Sequence, residues 1–257
     1  MRSMSQSPTE HLIIPDWPAP AKVRAFQTTR LGGISVAPFN SLNLGDHVGD
    51  APMVVARNRM LLNTLLPSEP VWLEQVHGTV VANADMAGCR TVADASIARR
   101  GVCVVMTADC LPVLLCDQAG TVVGAAHAGW KGLAAGVIEA TVREMGVESC
   151  ELMAWLGPAI SQKAFEVGAE VRDEFINAAP AAAAAFLPSH LQGEGGGESC
   201  KYLADIYALA RLRLNALGIT QIYGGERCTY SEPEQFFSYR RDGVTGRMGT
   251  FIWLEKQ

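Results

Sequence analysis

A series of short apolar runs follows along the chain with only a few residues between one run and the next. Residues 102–107, 111–116 and 121–126 are the clearest, and shorter runs occupy residues 71–76 and 79–82. Runs of this length and composition predict β-strands. Because these strands form consecutive hairpin-like pairs and the helical patterns lie in separate blocks, we expect an α+β fold with a mixed or antiparallel sheet.

Helical periodicity occurs in separate blocks. One helix is predicted to begin near Pro52, where a proline suits the first helical turn. Residues 133–145 and 202–217 are each followed by a glycine, Gly146 and Gly218, where a left-handed cap is expected. Further strands are predicted at residues 23–29, 152–156 and 248–254.

The chain has 257 residues, of which 49% are hydrophobic and 18% are charged. This composition predicts a globular protein with a large core. We predict a tail and extended lead-in at residues 1–22, which are rich in proline, and a single domain at residues 23–257. An alanine-rich stretch that runs into a proline and several glycines predicts a mobile loop at residues 186–200.

Several functional classes are excluded by composition. The net charge of -5 argues against nucleic-acid partners, which require a basic surface. The amino terminus has no sustained apolar segment, which predicts a cytoplasmic protein, and residues 102–116 are too short to span a bilayer. Seven cysteines without any CxxC spacing predict reduced thiols and exclude the usual zinc ribbon. Neither a Walker loop nor a GxGxxG fingerprint is present.

Three residues at the ends of predicted strands could bind a metal ion. Cys110 follows the run at residues 102–107, His127 ends the run at 121–126, and His77 follows residues 71–76. One thiolate and two imidazoles are ligands typical of zinc, and a set of three leaves one tetrahedral position open for water or substrate. Alternatively, His77 is an ordinary surface histidine and Cys110 a small apolar residue of a strand.

Polar and aromatic residues near these three are candidates for a substrate pocket. Asp109 interrupts an apolar sequence, so a buried carboxylate there needs a hydrogen-bonding or charge partner. Gln75 lies two positions before His77, so both side chains would share one face of an extended strand. Trp130 follows His127 in a glycine-rich segment and offers a stacking surface, unless it belongs to the core.

Ordered motifs spread along the chain carry a family resemblance. They are NSLNLG at residues 40–45, QVHG at 75–78, TADCLP at 107–112, AHAGW at 126–130, GP at 157–158, and the carboxy-terminal motifs CT at 228–229, YRRDG at 239–243 and GRM at 246–248. With these motifs the chain closely resembles the laccase-domain family, often called YfiH-type or polyphenol oxidase.

The resemblance implies a single domain of four α/β/β/α layers around a mixed β-sandwich, with zinc bound by the residues that match His77, Cys110 and His127. It also implies purine nucleoside chemistry: phosphorolysis of adenosine, inosine, guanosine or methylthioadenosine, and deamination of adenosine. Some bacterial members are instead described as peptidoglycan editing factors that act on muropeptide precursors. The family often has DALVT where this chain has DASIA at residues 94–98, so the hydroxyl expected at position 98 is missing.

The name laccase can be compared with the histidine content. A multicopper oxidase holds its metals on many imidazoles arranged in His-x-His pairs, whereas this chain has five histidines and no such pair. We therefore expect no multicopper mechanism, although copper could occupy the Cys/His site and produce weak polyphenol oxidation.

For phosphorolysis, Arg30, Arg241 or Arg247 would hold the phosphate, and zinc or Asp109 would help the base to leave. The candidate substrate-binding residues are Asn43, Gln75, Trp130, Arg30, Arg241 and Arg247. A second enzymatic hypothesis makes Cys110 a nucleophile with His127 as base and Asp109 or Asn43 as orienter. A non-enzymatic alternative is a zinc-stabilised binding module, and we expect a monomer or weak homodimer.

Overall fold

The computed structural model describes residues 8–86, 88, 91–189 and 201–255. They form a mixed α/β single domain with several sheets. The strands are β1 (Val23–Gln27), β2 (Leu73–Glu74), β3 (Val81–Asn83), β4 (Thr91–Val92), β5 (Ala95–Ala98), β6 (Val102–Thr107), β7 (Leu111–Asp117), β8 (Val123–Ala128), β9 (Leu152–Leu156), β10 (Glu166–Gly168), β11 (Phe186–Pro188), β12 (Lys201–Ala204), β13 (Gln221–Gly224) and β14 (Met248–Leu254). The α-helices are α1 (Pro52–Leu62), α2 (Trp130–Ala135), α3 (Val137–Met145), α4 (Ala169–Ala178), α5 (Ile206–Ala216) and α6 (Tyr239–Asp242).

The largest sheet has six strands in the order β13-β9-β7-β8-β5-β3. Strand β7 lies near its centre and pairs antiparallel with both β8 and β9, while β13 is parallel to β9 and β3 is parallel to β5. The tight turn after β7 is closed by Asp117, whose carboxylate accepts hydrogen bonds from the backbone N–H groups of Thr121 and Val122. Of the mixed or antiparallel arrangement expected from the sequence, the pairing of these strands confirms the mixed form.

A second sheet, β1-β14-β6, packs against one face of the first. The side chains of β7 show how both faces of the sheet are covered, because successive side chains of a strand point to opposite faces. Leu114 and Cys116 belong to the apolar cluster between the sheets, whereas Val113 and Leu115 belong to the cluster on the other face. The cluster on that other face also contains side chains of α3, α4 and α5. The four-layer arrangement implied by the family resemblance stays a prediction.

Two smaller sheets complete the fold. Strands β10-β12-β11 form one of them, and β2 pairs in parallel with β4 to form the other. Among the described helices, none is long and apolar enough to cross a membrane.

The structure departs from the predicted helices at two places. The helix expected at residues 133–145 is broken by Gly136, which has φ 97° and separates α2 from α3. The helix expected at residues 202–217 begins later, because residues 201–204 form the central strand β12 and Asp205 caps α5 by accepting a hydrogen bond from the N–H of Ala208.

The structure describes only parts of the predicted tail and of the predicted mobile loop. Ile13 exchanges two backbone hydrogen bonds with Gln27, and Trp17 packs against the apolar cluster between the sheets, so part of residues 8–22 is packed on the domain. Residues 186–188 of the predicted loop form β11, while residues 190–200 lie outside the described part of the chain. The domain boundary at residue 22 stays a proposal.

Tyr207 on α5 fixes the Gly157–Pro158 turn. Its buried hydroxyl accepts a hydrogen bond from the N–H of Ala159 at 2.7 Å and lies 2.7 Å from the carbonyl oxygen of Arg227. We expect Tyr207→Phe to lower the free energy of unfolding by about 1–3 kcal/mol, because it leaves buried backbone groups without a partner. Urea titration would measure this, with Tyr223→Phe as the control, because the Tyr223 hydroxyl makes no hydrogen bond to the described residues. Equal losses in the two variants would contradict the assigned role.

Candidate metal centre

Three separate elements bring His77, Cys110 and His127 together. Cys110 lies in the three-residue turn between β6 and β7, His127 lies near the end of β8, and His77 follows β2. The backbone at His77 has φ 61° and that at Asp109 has φ 89°, a left-handed conformation that is uncommon for residues other than glycine. The turns that carry two of the three side chains are therefore tightly constrained. We call these three residues the His–Cys–His cluster.

The ligand atoms of the His–Cys–His cluster all lie within 4.8 Å of one another. The Sγ of Cys110 is 3.7 Å from Nε2 of His77, and the centroids of the two imidazole rings are 4.7 Å apart with the ring planes at 68°. With bonds of about 2.3 Å to sulfur and about 2.0–2.1 Å to nitrogen, a tetrahedral zinc site has a sulfur–nitrogen edge of about 3.6 Å. The donor types and their spacing therefore fit a zinc ion.

The burial of the cluster is graded. His127 is buried, Cys110 is half-buried and His77 is exposed. Three protein ligands that face solvent on one side leave room for a further ligand, which is the arrangement of catalytic and not structural zinc sites.

Gly129 forms the wall of the cluster. A Cβ atom at this position would lie 2.8 Å from Cδ2 of His77 and 2.9 Å from Sγ of Cys110. The absence of a side chain is therefore what allows the backbone before α2 to approach both ligands. This agrees with the sequence-based argument that glycine after His127 permits a close approach.

Asp94 is the residue of this site that the sequence argument missed. Its side chain is fully buried, and Oδ1 lies 2.9 Å from Nδ1 of His127. It also accepts hydrogen bonds from the backbone N–H groups of Val76, His77 and Gly78. A buried carboxylate must have partners, and the reasoning applied to Asp109 would have identified Asp94 as well, since it stands directly before an apolar strand.

The electrostatics of the cluster favour a Cys110 thiolate. Burial alone would raise the pKa of Cys110, but the positive charge of His127, together with His77, lowers it to about 6. Burial disfavours the charged form of His127, but Cys110 and Asp94 raise the pKa of its imidazole to about 9. The thiolate is the form of cysteine that binds metals and acts as a nucleophile.

Alkylation of the metal-free protein should report this thiolate. Because the pKa of Cys110 is lowered to about 6, its reaction rate with iodoacetamide is expected to rise through pH 6 and to level off above pH 7. Burial raises the pKa of Cys103 and of Cys116 to about 12, so these buried thiols should stay unlabelled in the folded protein. Peptide mapping by mass spectrometry would measure each rate. A Cys110 rate that rises only above pH 8 would contradict the lowered pKa.

Asp109 lies beside the cluster and is held by the carboxy-terminal part of the chain. Its carboxylate accepts hydrogen bonds from the hydroxyls of Thr229 and Ser238 at 2.6 and 3.0 Å, and from the N–H of Arg240 at 2.7 Å. The partner that its burial demanded is therefore confirmed. Its catalytic role stays a prediction, but its bonds anchor the turn that carries Cys110.

The predicted orienter of His127 is corrected by the structure. Neither Asp109 nor Asn43 bonds to the imidazole, because Asp94 occupies that position. The amide of Asn43 is instead buried and bonded to Gly45, Asp50 and the N–H of Arg247. Its substrate-binding role stays a prediction without support from these contacts.

Gln75 and Trp130 are also placed by the structure. The amide of Gln75 makes a pair of hydrogen bonds with the backbone N–H and C=O of Met106 at the end of β6. Trp130 begins α2 next to Gly129 and is partly buried against the apolar cluster that contains side chains of α3, α4 and α5. Gln75 lies two residues before His77 and Trp130 lies three residues after His127. Contact of either side chain with a substrate stays a prediction.

The three candidate arginines differ in how their guanidinium groups are used. Arg30 donates hydrogen bonds to the carbonyls of Asn40 and Pro233. Arg241 donates to three backbone carbonyls and pairs with Asp242. These contacts favour a structural role for both side chains.

Arg247 is different. Its side-chain hydrogen bonds come from Nη1 alone, to the carbonyls of Thr245 and Gly246, as far as the described residues extend. Burial lowers the pKa of Arg247, and the nearby negative charges of Cys110 and Asp109 oppose this shift. Arg247 is therefore the candidate anion-binding residue whose charge acts on the cluster.

A groove of about 920 Å³ lies beside the segment that carries His77. Its lining includes Gln75 and Val76, which precede His77, together with His47, Arg59 and Trp72. Its volume is within the range of about 300–1,000 Å³ that is usual for small-molecule sites.

Comparison with known proteins connects this site to a family. The family described as multi-copper polyphenol oxidoreductase laccase matches residues 24–255. The chain belongs to this family. The site of this laccase-family member contains two histidines, His77 and His127. These are too few for a multicopper centre, as the histidine content of the sequence already indicated.

Relatives of this laccase-family chain are named for a different activity. The chain is 55% identical over 245 residues to "Purine nucleoside phosphorylase PA4543" of Pseudomonas aeruginosa, and the match covers 95% of this chain and 98% of the relative. It is 54% identical over 248 residues to "Purine nucleoside phosphorylase YfiH" of Escherichia coli, with the same coverage of 95% and 98%.

Two similar proteins with solved structures share the fold. The crystal structure of the Neisseria meningitidis protein NMB0706 has a TM-score of 0.87 and 52% identity, and the match covers 96% of this chain and 100% of that one. The structure of YlmD from Geobacillus stearothermophilus has a TM-score of 0.82 and 32% identity, with 98% of each chain covered. The predicted family resemblance and mixed α/β fold are confirmed.

Proposed function

We propose that this protein is a zinc-dependent purine nucleoside phosphorylase whose active site is the His–Cys–His cluster. The observation that carries the proposal is the convergence of one thiolate and two imidazoles from three separate elements, with His77 exposed and His127 buried. The names of relatives at 54% and 55% identity support phosphorolysis as the reaction.

The proposed metal is zinc, bound by His77, Cys110 and His127. Thiolate and imidazole donors in a tetrahedral arrangement suit zinc, whereas copper could occupy the same ligands. Zinc in such a site supplies Lewis acidity and lowers the pKa of a coordinated water. A single ion of this kind does not supply the several coppers of a laccase, so polyphenol oxidation is at most a side reaction of a copper-loaded protein.

Phosphorolysis requires an anion, a sugar and a leaving base to be held together. A phosphate oxygen forms a bond to the anomeric carbon of the ribose while the bond from that carbon to the purine nitrogen breaks. The electron pair of the broken bond goes to the purine, which takes up a proton. Arg247 is proposed to hold the phosphate by charge-assisted hydrogen bonds, since Nη1 alone of its guanidinium donates to described residues and its charge lies near Cys110 and Asp109.

The groove beside His77 is proposed to receive the nucleoside. Its lining ends at Gln75 and Val76, the two residues before His77 in the chain, and its volume is large enough for a purine and a ribose. Adenosine, inosine, guanosine and methylthioadenosine are the proposed substrates, and deamination of adenosine by water is a proposed second reaction of the same site.

A second candidate function uses Cys110 as a nucleophile in the hydrolysis of a muropeptide precursor. One observation favours it: Cys110 interacts with His127, and His127 in turn contacts Asp94. These residues could serve as a thiol nucleophile, its base and the carboxylate that orients the base. A thiolate committed to zinc is a poor nucleophile, so stoichiometric zinc in the active protein distinguishes the two candidates. Cytoplasmic location and a monomeric or weakly dimeric state are part of the proposal.

Liquid chromatography of the zinc-loaded protein with adenosine, inosine, guanosine or methylthioadenosine tests the proposal. We expect release of the free base only when phosphate is present, with one ribose 1-phosphate (or its methylthio analogue) formed for each base. Inosine formed from adenosine without phosphate would identify deamination. If every nucleoside is recovered intact from a protein with bound zinc, the purine assignment is wrong and the muropeptide precursor becomes the next substrate to assay.

A further inference from the structure

Asp94 connects two of the three proposed ligands, although it belongs to neither of their elements. It stands directly before β5, while His127 lies on β8 and His77 lies in the loop after β2. Its backbone also takes part, because the N–H of His127 donates to the carbonyl oxygen of Asp94 at 2.7 Å.

Each oxygen of the Asp94 carboxylate makes two contacts. Oδ1 accepts from the N–H of His77 at 2.8 Å and lies 2.9 Å from Nδ1 of His127. Oδ2 accepts from the N–H of Val76 at 3.1 Å and from that of Gly78 at 2.6 Å. A carboxylate offers about four lone-pair positions, so these four contacts leave none for a metal ion. Asp94 can therefore act on a metal only through the residues that it holds.

The loop that carries His77 depends on this carboxylate. Three consecutive backbone N–H groups converge on one acceptor because His77 adopts φ 61°, and such a concave set of N–H groups is suited to bind an anion. His77 is exposed, so the position of its backbone depends on these hydrogen bonds as well as on the contacts of its ring with Cys110 and His127.

The contact with His127 determines which ring nitrogen faces the cluster. If Nδ1 carries the proton and donates it to Asp94, Nε2 is left as the lone-pair nitrogen. Histidine ligands of metals are commonly held in this way by a carboxylate, which fixes both the tautomer and the ring orientation.

We propose that Asp94 is the positioning residue of the metal site, and that its carboxylate sets metal affinity by holding the His77 loop and the His127 ring in one geometry. This inference rests on the proposed zinc site but not on the identity of the substrate. It assigns to Asp94 no contact with substrate or metal.

The test compares Asp94→Asn with Asp85→Asn. Asp85 is a matched control because its carboxylate also accepts hydrogen bonds from three consecutive backbone N–H groups, those of residues 99–101, and none of these partners is a proposed ligand. In Asp94→Asn the new amide directs N–H donors at groups that are themselves donors. We expect its dissociation constant for zinc, measured by competition with a chromophoric chelator, to rise about 10–100-fold. Asp85→Asn is expected to lower the unfolding temperature and leave zinc affinity unchanged.

Equal zinc affinity in Asp94→Asn and the wild type, or equal losses in the two variants, would overturn the inference. If Asp94→Asn does not fold, the wild type still gives an answer through ¹⁵N-histidine NMR, with His127 assigned by comparison with His127→Gln. The zinc-loaded protein is expected to have His127 protonated at Nδ1, and protonation at Nε2 would refute the role of Asp94. Because zinc alone is the probe, a protein that binds zinc tightly but leaves nucleosides intact would contradict only the proposed function.

Discussion

Gly129→Ala is expected to abolish metal binding while the protein stays folded. The backbone at Gly129 has φ -62° and ψ 155°, a conformation that alanine adopts without strain. The added methyl group would nevertheless lie under 3.0 Å from both Cδ2 of His77 and Sγ of Cys110, so these two side chains must move apart. A zinc site tolerates deviations of only about 0.2 Å from its ligand distances, so displacement of two of the three proposed ligands is expected to prevent binding.

Two measurements check this expectation. Zinc per chain would be determined by elemental analysis after dialysis, and the unfolding midpoint would be followed by circular dichroism. Gly88→Ala is the control, because a Cβ at Gly88 would have no neighbour within 4 Å among the residues that the structure describes. Full zinc occupancy in Gly129→Ala would contradict the close approach of the backbone to the cluster.

Alanine substitution of each ligand is the second prediction with a large effect. His77→Ala, Cys110→Ala and His127→Ala should each lose zinc and phosphorolytic activity together, because each removes one of three protein ligands. We expect a fall in kcat/KM greater than the roughly 100-fold that is typical of losing a residue behind a ligand. Zinc content and initial rates on one preparation of each variant would establish the coupling.

Cys150→Ala is a matched control for Cys110→Ala, since Cys150 is an exposed cysteine outside the cluster. It should keep both zinc and activity. The informative exception is a Cys110→Ala protein that retains its zinc and loses activity, because that result would identify Cys110 as a nucleophile and not as a ligand.

The three residues of the His–Cys–His cluster could be proposed as ligands from the sequence because they stand at or near strand ends. A cysteine or histidine that follows a buried strand is held at the edge of a sheet, and Cys110 and His127 adjoin the paired strands β7 and β8. That they converge with His77 is a matter of tertiary contact, which local pattern does not contain. The sequence could have identified Asp94 as a carboxylate in need of partners, but not the partners themselves, which are 16 to 33 positions away in the chain.

The strands and helices could be predicted where the local sequence carries a signal, and not where they depend on contacts with other parts of the chain. The long strands β6, β7 and β14 are continuous apolar runs that are buried on both faces, so composition alone identifies them. Short strands such as β10 and β12 are stabilised by pairing with each other, and their sequences carry no comparable signal. The break in the helix at Gly136 depends on one residue with a positive φ within an otherwise helical pattern.

The role of Arg247 could also not be read from the sequence. Three arginines were equivalent candidates for binding an anion, since each stands in a polar segment. Arg247 donates from Nη1 alone, to carbonyls of the two residues before it, whereas Arg30 and Arg241 donate from two and three guanidinium nitrogens and include partners that only the folded chain brings to them.

X-ray absorption spectroscopy at the zinc edge tests the central claim most directly, namely that His77, Cys110 and His127 bind one metal ion. The protein reconstituted with one equivalent of zinc should show one sulfur neighbour at about 2.3 Å and two imidazole nitrogens at about 2.0–2.1 Å, with one further light atom. A shell without sulfur, or one made of oxygen alone, would contradict the claim.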